Sequence, residues 1–358
     1  MSDTTARAAD DLWEAVLARD EEAAGEAVVR AAAAGLDPET ALLDVIGAVQ
    51  RRVGEEWAAN RLTVAQEHAA TAINERAVSA LMFGRKLPTP TRGPITVACV
   101  DGEWHALPAR LVSEVLRLRG FQVDYLGAQV PIPHLITHLH RTGPAAVALS
   151  SSIPTRLPTA HATITACQAA GTPVIAGGAA FGPDGRYARL LGADAWAPDA
   201  RSAADRLARE PLPSPAPGAH QPIDDLPHLA DQEFTMVSRT ATLLVKAVLN
   251  GLEERIPAMR AYSDEQHQRT AEDIAHIVDF LATSLYVADD GLFTGFLTWT
   301  ADILSARSVP ADVLAPALDL LLAELRDFPR ATALITTAHA ALEAATDRSD
   351  RRHGASTA

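Results

Sequence analysis

Three regimes of hydrophobic spacing follow one another along the chain. Between residues 9 and 88 apolar positions recur at helical intervals. Leu12, Trp13, Val16 and Leu17 share one face, as do Leu42, Leu43, Ile46 and Val49. Asp37 followed by Pro38 supplies an N-cap and a first-turn proline, and Gly35 closes the helix before it. The spacing predicts four helices of ordinary length, a small bundle over 9–88. Leu87 to Pro94, with Pro88, Pro90 and Gly93, reads as a linker.

From residue 94 to 205 strand and helix patterns alternate. Ile95 to Val100, Phe121 to Leu126, Ala145 to Ser150 and Pro173 to Ala176 are short, mostly apolar runs of the kind a buried parallel sheet uses. Leu111 to Arg119, Ile132 to Leu139 and Ala160 to Ala169 read as helices between them, which predicts a doubly wound α/β domain. Residues 206–228 are a proline-rich linker, with six prolines between Pro211 and Pro227. Residues 229–345 return to helical spacing through Phe234, Val237, Leu244, Ile274, Ile277, Leu281, Phe293 and Leu297, and residues 346–358 form a polar tail expected to be disordered. The fold class is α/β plus all-α.

Composition narrows the function. The formal net charge is −14 and no basic run occurs, which argues against a nucleic-acid partner. No apolar stretch reaches the roughly 20 residues a membrane helix needs. The first residues carry no basic and apolar leader, so a cytoplasmic location is expected. The two cysteines, Cys99 and Cys167, form no C-x-x-C pair, which argues against a zinc ribbon and a disulfide framework.

Candidate chemistry gathers at strand ends, where doubly wound sheets bind ligands. Glu103-Trp104-His105 follows the first strand, so an imidazole projects toward the crevice and Glu103 can fix its tautomer. Ser150-Ser151-Ser152 and Gly177-Gly178 end two further strands, offering hydroxyls and close backbone approach. In the bundle, Trp57 precedes Glu67-His68 by nine intervening residues. The plain alternatives are a surface loop histidine, strand-capping serines and glycines, and a core tryptophan beside an exposed Glu-His pair. His134 and His138, four apart on one helix, could form half a metal site, but no third ligand is in view and a solvated helix face is the stronger reading.

The Glu-x-His motif, with serines and Gly-Gly in this order, resembles the cobalamin-binding domains; Pro108 stands where that pattern has glycine. The resemblance implies that His105 is the lower cobalt ligand, and that Glu103, Trp104, Ser150, Ser152, Gly177 and Gly178 contact cobalamin. Trp57 with Glu67-His68 resembles the upper-face signature of the light-sensing cobalamin regulators of MerR type. It implies that Trp57 covers the adenosyl group of adenosylcobalamin, that Glu67 contacts its sugar, and that His68 takes the upper cobalt site once light breaks the cobalt–carbon bond. Those regulators carry a helix-turn-helix before the bundle; here the bundle opens the sequence, so no such DNA reader is expected.

A helical domain after this module resembles the photocobilins, which join cobalamin to a bilin. The resemblance implies a globin-like domain holding biliverdin. No cysteine lies beyond Cys167, so a thioether link within that domain is impossible and the pigment is held non-covalently. Arg255, Arg260 and Arg269 are candidate propionate partners, and His267 or His276 would face the pyrroles, among Tyr262, Phe280, Tyr286, Phe293, Phe296 and Trp299. Haem on His267 or His276 is the competing chemistry, and a helical dimerisation module is the plain one. The resulting expectation is a homo-oligomeric photoreceptor, not an enzyme, whose output is a change in domain packing or assembly read by an unidentified partner. The alternatives are a corrinoid protein for methyl transfer and a cobalamin or haem sensor not gated by light.

Overall fold

Helix caps written into the sequence set three of the first four helical stretches. The structure, a computed structural model, describes residues 3–215, 222–309 and 311–356 and falls into two units, Met1–His220 and Gln221–Ala358. The first unit opens with α1 (Asp3–Ala18) and α2 (Glu21–Ala33), whose N-cap Asp20 accepts from the Ala23 amide. A third helix is assembled from α3 (Pro38–Thr40), a π-type segment (Ala41–Ile46) and α4 (Gly47–Ala58). Asp37 caps it, and Pro38 occupies the first turn, where an amide hydrogen is not needed. In α5 (Val64–Met82), Thr63 and Gln66 form a reciprocal capping box.

The sheet follows in the order β2-β1-β3-β4-β5, with every pairing parallel. Its strands are β1 (Arg92–Cys99), β2 (Phe121–Gly127), β3 (Ala146–Ser150), β4 (Val174–Gly177) and β5 (Ala195–Ala197). Between them run α6 (Ala106–Leu118), α7 (Ile132–Thr142), α8 (Leu157–Ala169) and α9 (Arg186–Leu190), and α10 (Ala200–Arg209) closes the layer. Strand order reverses between β1 and β3, so the crevice lies at the carboxyl ends of those two strands. There Cys99, Ser150, Gly177 and Ala197 stand in register across four strands.

Three details depart from the sequence reading. β1 begins at Arg92, inside the expected linker; its register slips around Pro94, which has no amide hydrogen to give. β5 was not anticipated, because three residues with two alanines carry almost no strand signal. α6 begins at Ala106 instead of near Leu111, which places Pro108 in its first turn. Amides there have no intrahelical partner, so the proline is accommodated where the family pattern has glycine.

Bundle and sheet share one core that runs from Leu12, Leu42 and Val78 to Val97, Leu116 and Ile175. Ion pairs reinforce the junction. Arg119 donates to both oxygens of Glu39 at 2.9 and 2.8 Å and also meets Asp205, while Arg201 reaches Glu39 at 3.2 Å and Asp44 at 3.1 and 2.7 Å.

Of the linker expected over 206–228, residues 206–209 belong to α10, α11 spans Pro222–Asp225, and 216–221 lie outside the described residues. The second unit packs α12 (Glu233–Arg255), α13 (Asp264–Val287), α14 (Asp290–Ala306), α15 (Ala315–Glu324) and α16 (Pro329–Ser356) around its own core, centred on Val248, Leu281, Phe293, Leu318 and Ile335. α16 continues into the tail expected to lack structure, and 357–358 lie outside the described residues. Among the described residues no helix is long and apolar enough to cross a membrane.

The buried Glu233 ties two ends of this unit together, accepting from the Arg330 amide at 3.0 Å and the Ala331 amide at 2.9 Å in the first turn of α16. Glu233→Ala should therefore lower the stability of the unit by about 2 kcal/mol, read as the urea midpoint of helical ellipticity in the full chain. An unchanged midpoint would mean that these bonds contribute nothing.

Candidate functional site

Glu103 is 1 % exposed, and a carboxylate so placed must collect hydrogen bonds or become neutral. It collects five. Oε1 accepts from the His105 amide at 3.0 Å and lies 2.6 Å from His105 Nδ1. Oε2 accepts from the Ser151 hydroxyl at 3.2 Å and from the Ser152 and Ile153 amides at 2.7 and 3.1 Å. Burial pushes the Glu103 carboxyl up, but the bonds from His105, Ser152 and Ile153 outweigh it and bring the pKa down to about 2. The same contact holds the His105 imidazole above its usual range against the opposing effect of burial, and the charges of Glu103 and Glu67 add to the rise. With Nδ1 committed to Glu103, Nε2 is the ring nitrogen left to ligate, on a side chain 52 % exposed.

Behind this histidine lies a cavity of about 410 Å³. Its sheet side is Val97, Ala148, Ser150, Ile175, Gly177, Gly178 and Ala197; its bundle side includes Leu43, Asp44 and Gln50; Leu107 and Pro108 of α6 close it. Gly178 has φ +101°, and a Cβ there would stand 2.2 Å from the Ser151 carbonyl oxygen. Only glycine lets the two loops cross so closely. Cys99, beside the site, has its thiol pushed up to about 12 by burial and by the Glu103 charge, so it serves packing and not ligation.

Trp57, Glu67 and His68 flank the turn between α4 and α5. Trp57 packs half-buried against the shared core. Glu67 Oε2 lies 2.7 Å from His68 Nδ1, and the His68 side chain is 75 % exposed. Trp104 is also exposed. The Glu67–His68 contact repeats in the bundle the carboxylate–imidazole arrangement of Glu103 and His105. Ser150 lines the cavity, whereas Ser152 acts through its backbone amide. Sequence reasoning passed over Ser151, which is buried and donates to Glu103; its signal was its place in an unbroken run of three serines at a strand end.

In the second unit the aromatics of α13 and α14 meet. Phe280 and Phe296 stack at 3.8 Å and 6°, with Trp299 6.4 Å from Phe296. Tyr286 and Phe293 are buried in the core or beside it, and Tyr262 lies edge-on to His267 at 5.7 Å. The candidate polar contacts are engaged with surface groups instead. His267 lies between the Ser263 carbonyl at 3.1 Å and Glu253 at 3.4 Å. Arg269 is 2.5 Å from Glu265, Arg255 is 3.5 Å from the Pro316 carbonyl, and Arg260 and His276 are exposed. His138 lies 3.4 Å from Asp124, and among the described residues no three His, Cys, Asp or Glu gather as a metal site.

The Glu103 hydrogen bonds carry a pH signature. Its folded pKa, about 2, lies below the ordinary glutamate value of 4.5, so the stability it contributes is fully present above pH ~4.5 and is lost as pH falls toward 2. Glu103→Gln should destabilise the protein at neutral pH, and the gap to the parent should narrow over that window in urea titrations. A pH-independent gap would mean that the charge of Glu103 is not what its partners recognise.

Two stretches of the first unit match known families. Residues 93–208 match the B12 binding domain family, and residues 8–82 match a second B12 binding domain family. The trimethylamine corrinoid protein of Methanosarcina barkeri is 29 % identical over 147 residues, 40 % of this chain and 68 % of that protein. The HTH-type transcriptional repressor CarH of Myxococcus xanthus is 32 % identical over 152 residues, 41 % of this chain and 50 % of its own length. The chain thus spans about two thirds of the first relative and half of the second. The solved monomethylamine corrinoid protein of Methanosarcina barkeri is 20 % identical with a TM-score of 0.47, over 57 % of this chain and 98 % of that one. The site fits a B12 group: an imidazole with one free ring nitrogen, and a largely apolar cavity with a hydroxyl and a glycine crossing at its edge, suit an axial ligand and a flat nucleotide base. Residues 8–82 and 93–208 are cobalamin-binding domains, homologous to corrinoid proteins and to the CarH repressor.

Proposed function

We propose that this chain is a photoreceptor that holds adenosylcobalamin in its first unit and biliverdin, non-covalently, in a globin-like second unit. The observation that carries the first half is the pair of carboxylate–imidazole contacts, Glu103–His105 from the sheet and Glu67–His68 from the bundle, at 2.6 and 2.7 Å. The lower pair would hold cobalt through Nε2 of His105, with Glu103 fixing its tautomer. In the upper pair, Glu67 would hold the adenosyl sugar, and the exposed His68 would be available as a cobalt ligand after illumination. Trp57 covers the upper group from the end of α4. Bound adenosylcobalamin would supply a cobalt–carbon bond that light cleaves. The output is a change in packing or assembly of a homo-oligomer, and no catalytic role is assigned. For the second half, support comes from the Phe280–Phe296–Trp299 cluster, a stacked pair with a tilted indole beside it, in a cysteine-free segment. Similarity to the trimethylamine corrinoid proteins favours a second reading, a methyl carrier serving a partner methyltransferase.

Spectra of the full chain, loaded in the dark and then lit, separate the two readings. Free cofactor is itself photolabile, so photolysis alone decides nothing. The photoreceptor reading expects a lit product with imidazole in the upper position and a light-dependent change in assembly. His68→Ala should still bind and photolyse yet give an aquo-type product, and His105→Ala should weaken binding or alter the dark spectrum. A lit product identical in parent and His68→Ala, with assembly unchanged, would favour the methyl carrier.

Biliverdin added to the full chain should give a structured long-wavelength band, and denaturation should release all of the pigment. Replacing Arg255, Arg260 or Arg269 should weaken the band if they hold the propionates. Failure to take up biliverdin, together with haem binding through His267 or His276, would replace the bilin half of the proposal with a haem sensor.

A further inference from the structure

We infer that Asn74, Gln50 and Thr71 form a hydrogen-bonded relay that positions Glu67 and, through it, the imidazole of His68. The inference rests on the proposal that His68 serves the upper face of a bound corrinoid. Asn74 is 0 % exposed, in the part of α5 that packs into the bundle core. An amide there is costly unless its hydrogen bonds are used. Asn74 Nδ2 donates to Gln50 Oε1 at 2.8 Å, and Gln50 Nε2 donates to the Thr71 hydroxyl at 2.8 Å. Thr71 in turn donates to Glu67 Oε1 at 3.0 Å, and Glu67 Oε2 lies 2.7 Å from His68 Nδ1.

The direction of the relay is set by its charged end. An ionised Glu67 can only accept, so the single Thr71 proton must go to it. Thr71 can then only accept from its other neighbour, which turns the amino group of Gln50 toward it. The Gln50 carbonyl is thereby turned toward Asn74, whose amino group must answer. Reversing either amide breaks the chain. Glu67, Thr71 and Asn74 lie at i, i+4 and i+7 on one face of α5, and Gln50 reaches them from α4. The relay ends at Asn74 Oδ1, which is buried without a hydrogen-bond partner. A leucine would fill the same space without that cost; what the amide adds is the orientation it imposes on Gln50. Gln50 also lines the cavity behind His105, so the wall of the cavity and the upper imidazole share one hydrogen-bonded frame.

Two readouts on the full chain test the relay. The first is the ring tautomer of His68 in the ligand-free protein, read by nitrogen-15 NMR. The parent should carry its proton on Nδ1, facing Glu67. Thr71→Val, which removes the hydroxyl and keeps the shape, should shift the tautomer ratio about tenfold, the effect of one hydrogen bond to a charged group. Thr71→Ser should restore it, and Asn74→Leu should move it in the same sense as Thr71→Val. The second readout is absorbance after adding hydroxocobalamin in the dark, where Thr71→Val should reduce the imidazole-bound upper-face species by a similar factor while uptake stays at the parent level. Thr71 is only half-buried, so this variant carries the test even if Asn74→Leu does not fold. Parent-like tautomer ratios and spectra in Thr71→Val would overturn the relay. A parent spectrum matching that of His68→Ala would instead remove the upper-ligand reading, and the tautomer measurement would still judge the relay.

Discussion

One buried carboxylate organises the cobalamin-binding unit. Glu103 belongs to the loop after β1, yet three of its five hydrogen bonds come from the loop after β3, the neighbour across the point where strand order reverses. Both loops are thereby held against each other. With His105 attached to the same carboxylate, its imidazole inherits the rigidity of the central sheet. The close crossing of Gly178 over Ser151 brings the loop after β4 into the same cluster, since Ser151 also donates to Glu103. Three strand ends are thus joined through a few residues. This is the condition under which an imidazole can be aimed without a metal to aim it.

Much of this was legible in the sequence, because the determinants are local and chemically distinctive. Glu103 and His105 are two residues apart, Ser150 to Ser152 and Gly177-Gly178 end apolar strands, and Asp37-Pro38 marks its helix start within a residue. What escaped depends on pairings between distant parts of the chain. Nothing in Ala195–Ala197 announces a strand; it becomes one because β4 presents an unpaired edge. The π-type segment at Ala41–Ile46 leaves no mark in the spacing of its apolar residues. The role of Ser151 requires knowing which strands are neighbours, since its partner is 48 positions away.

The helical unit reads differently. Its helix positions followed from apolar periodicity, and its capping box at Ser263 and Gln266 is of the kind sequence exposes directly. Its candidate ligand contacts did not. Arg255, His267 and Arg269 were singled out by residue type, and residue type on a long helix does not fix the face. In the structure they meet Pro316, Glu253 and Glu265, ordinary helix-surface partners. The stacked pair Phe280 and Phe296 comes from two helices joined by a short turn, a proximity that periodicity alone does not supply.

The shared core of bundle and sheet bears on how a cofactor is captured. A cap hung on a flexible tether would have to be ordered when the cofactor arrived, and the lost freedom would be subtracted from affinity. Here the cap is already fastened, by Leu42 and Val78 packed in one core with Val97 and Leu116 and by Arg119 and Arg201 gripping Glu39 and Asp44. Little disorder remains to be lost on binding, so contact energy is preserved as grip. The cost would then fall on kinetics, because a frame fastened in advance slows the entry and exit of a large guest.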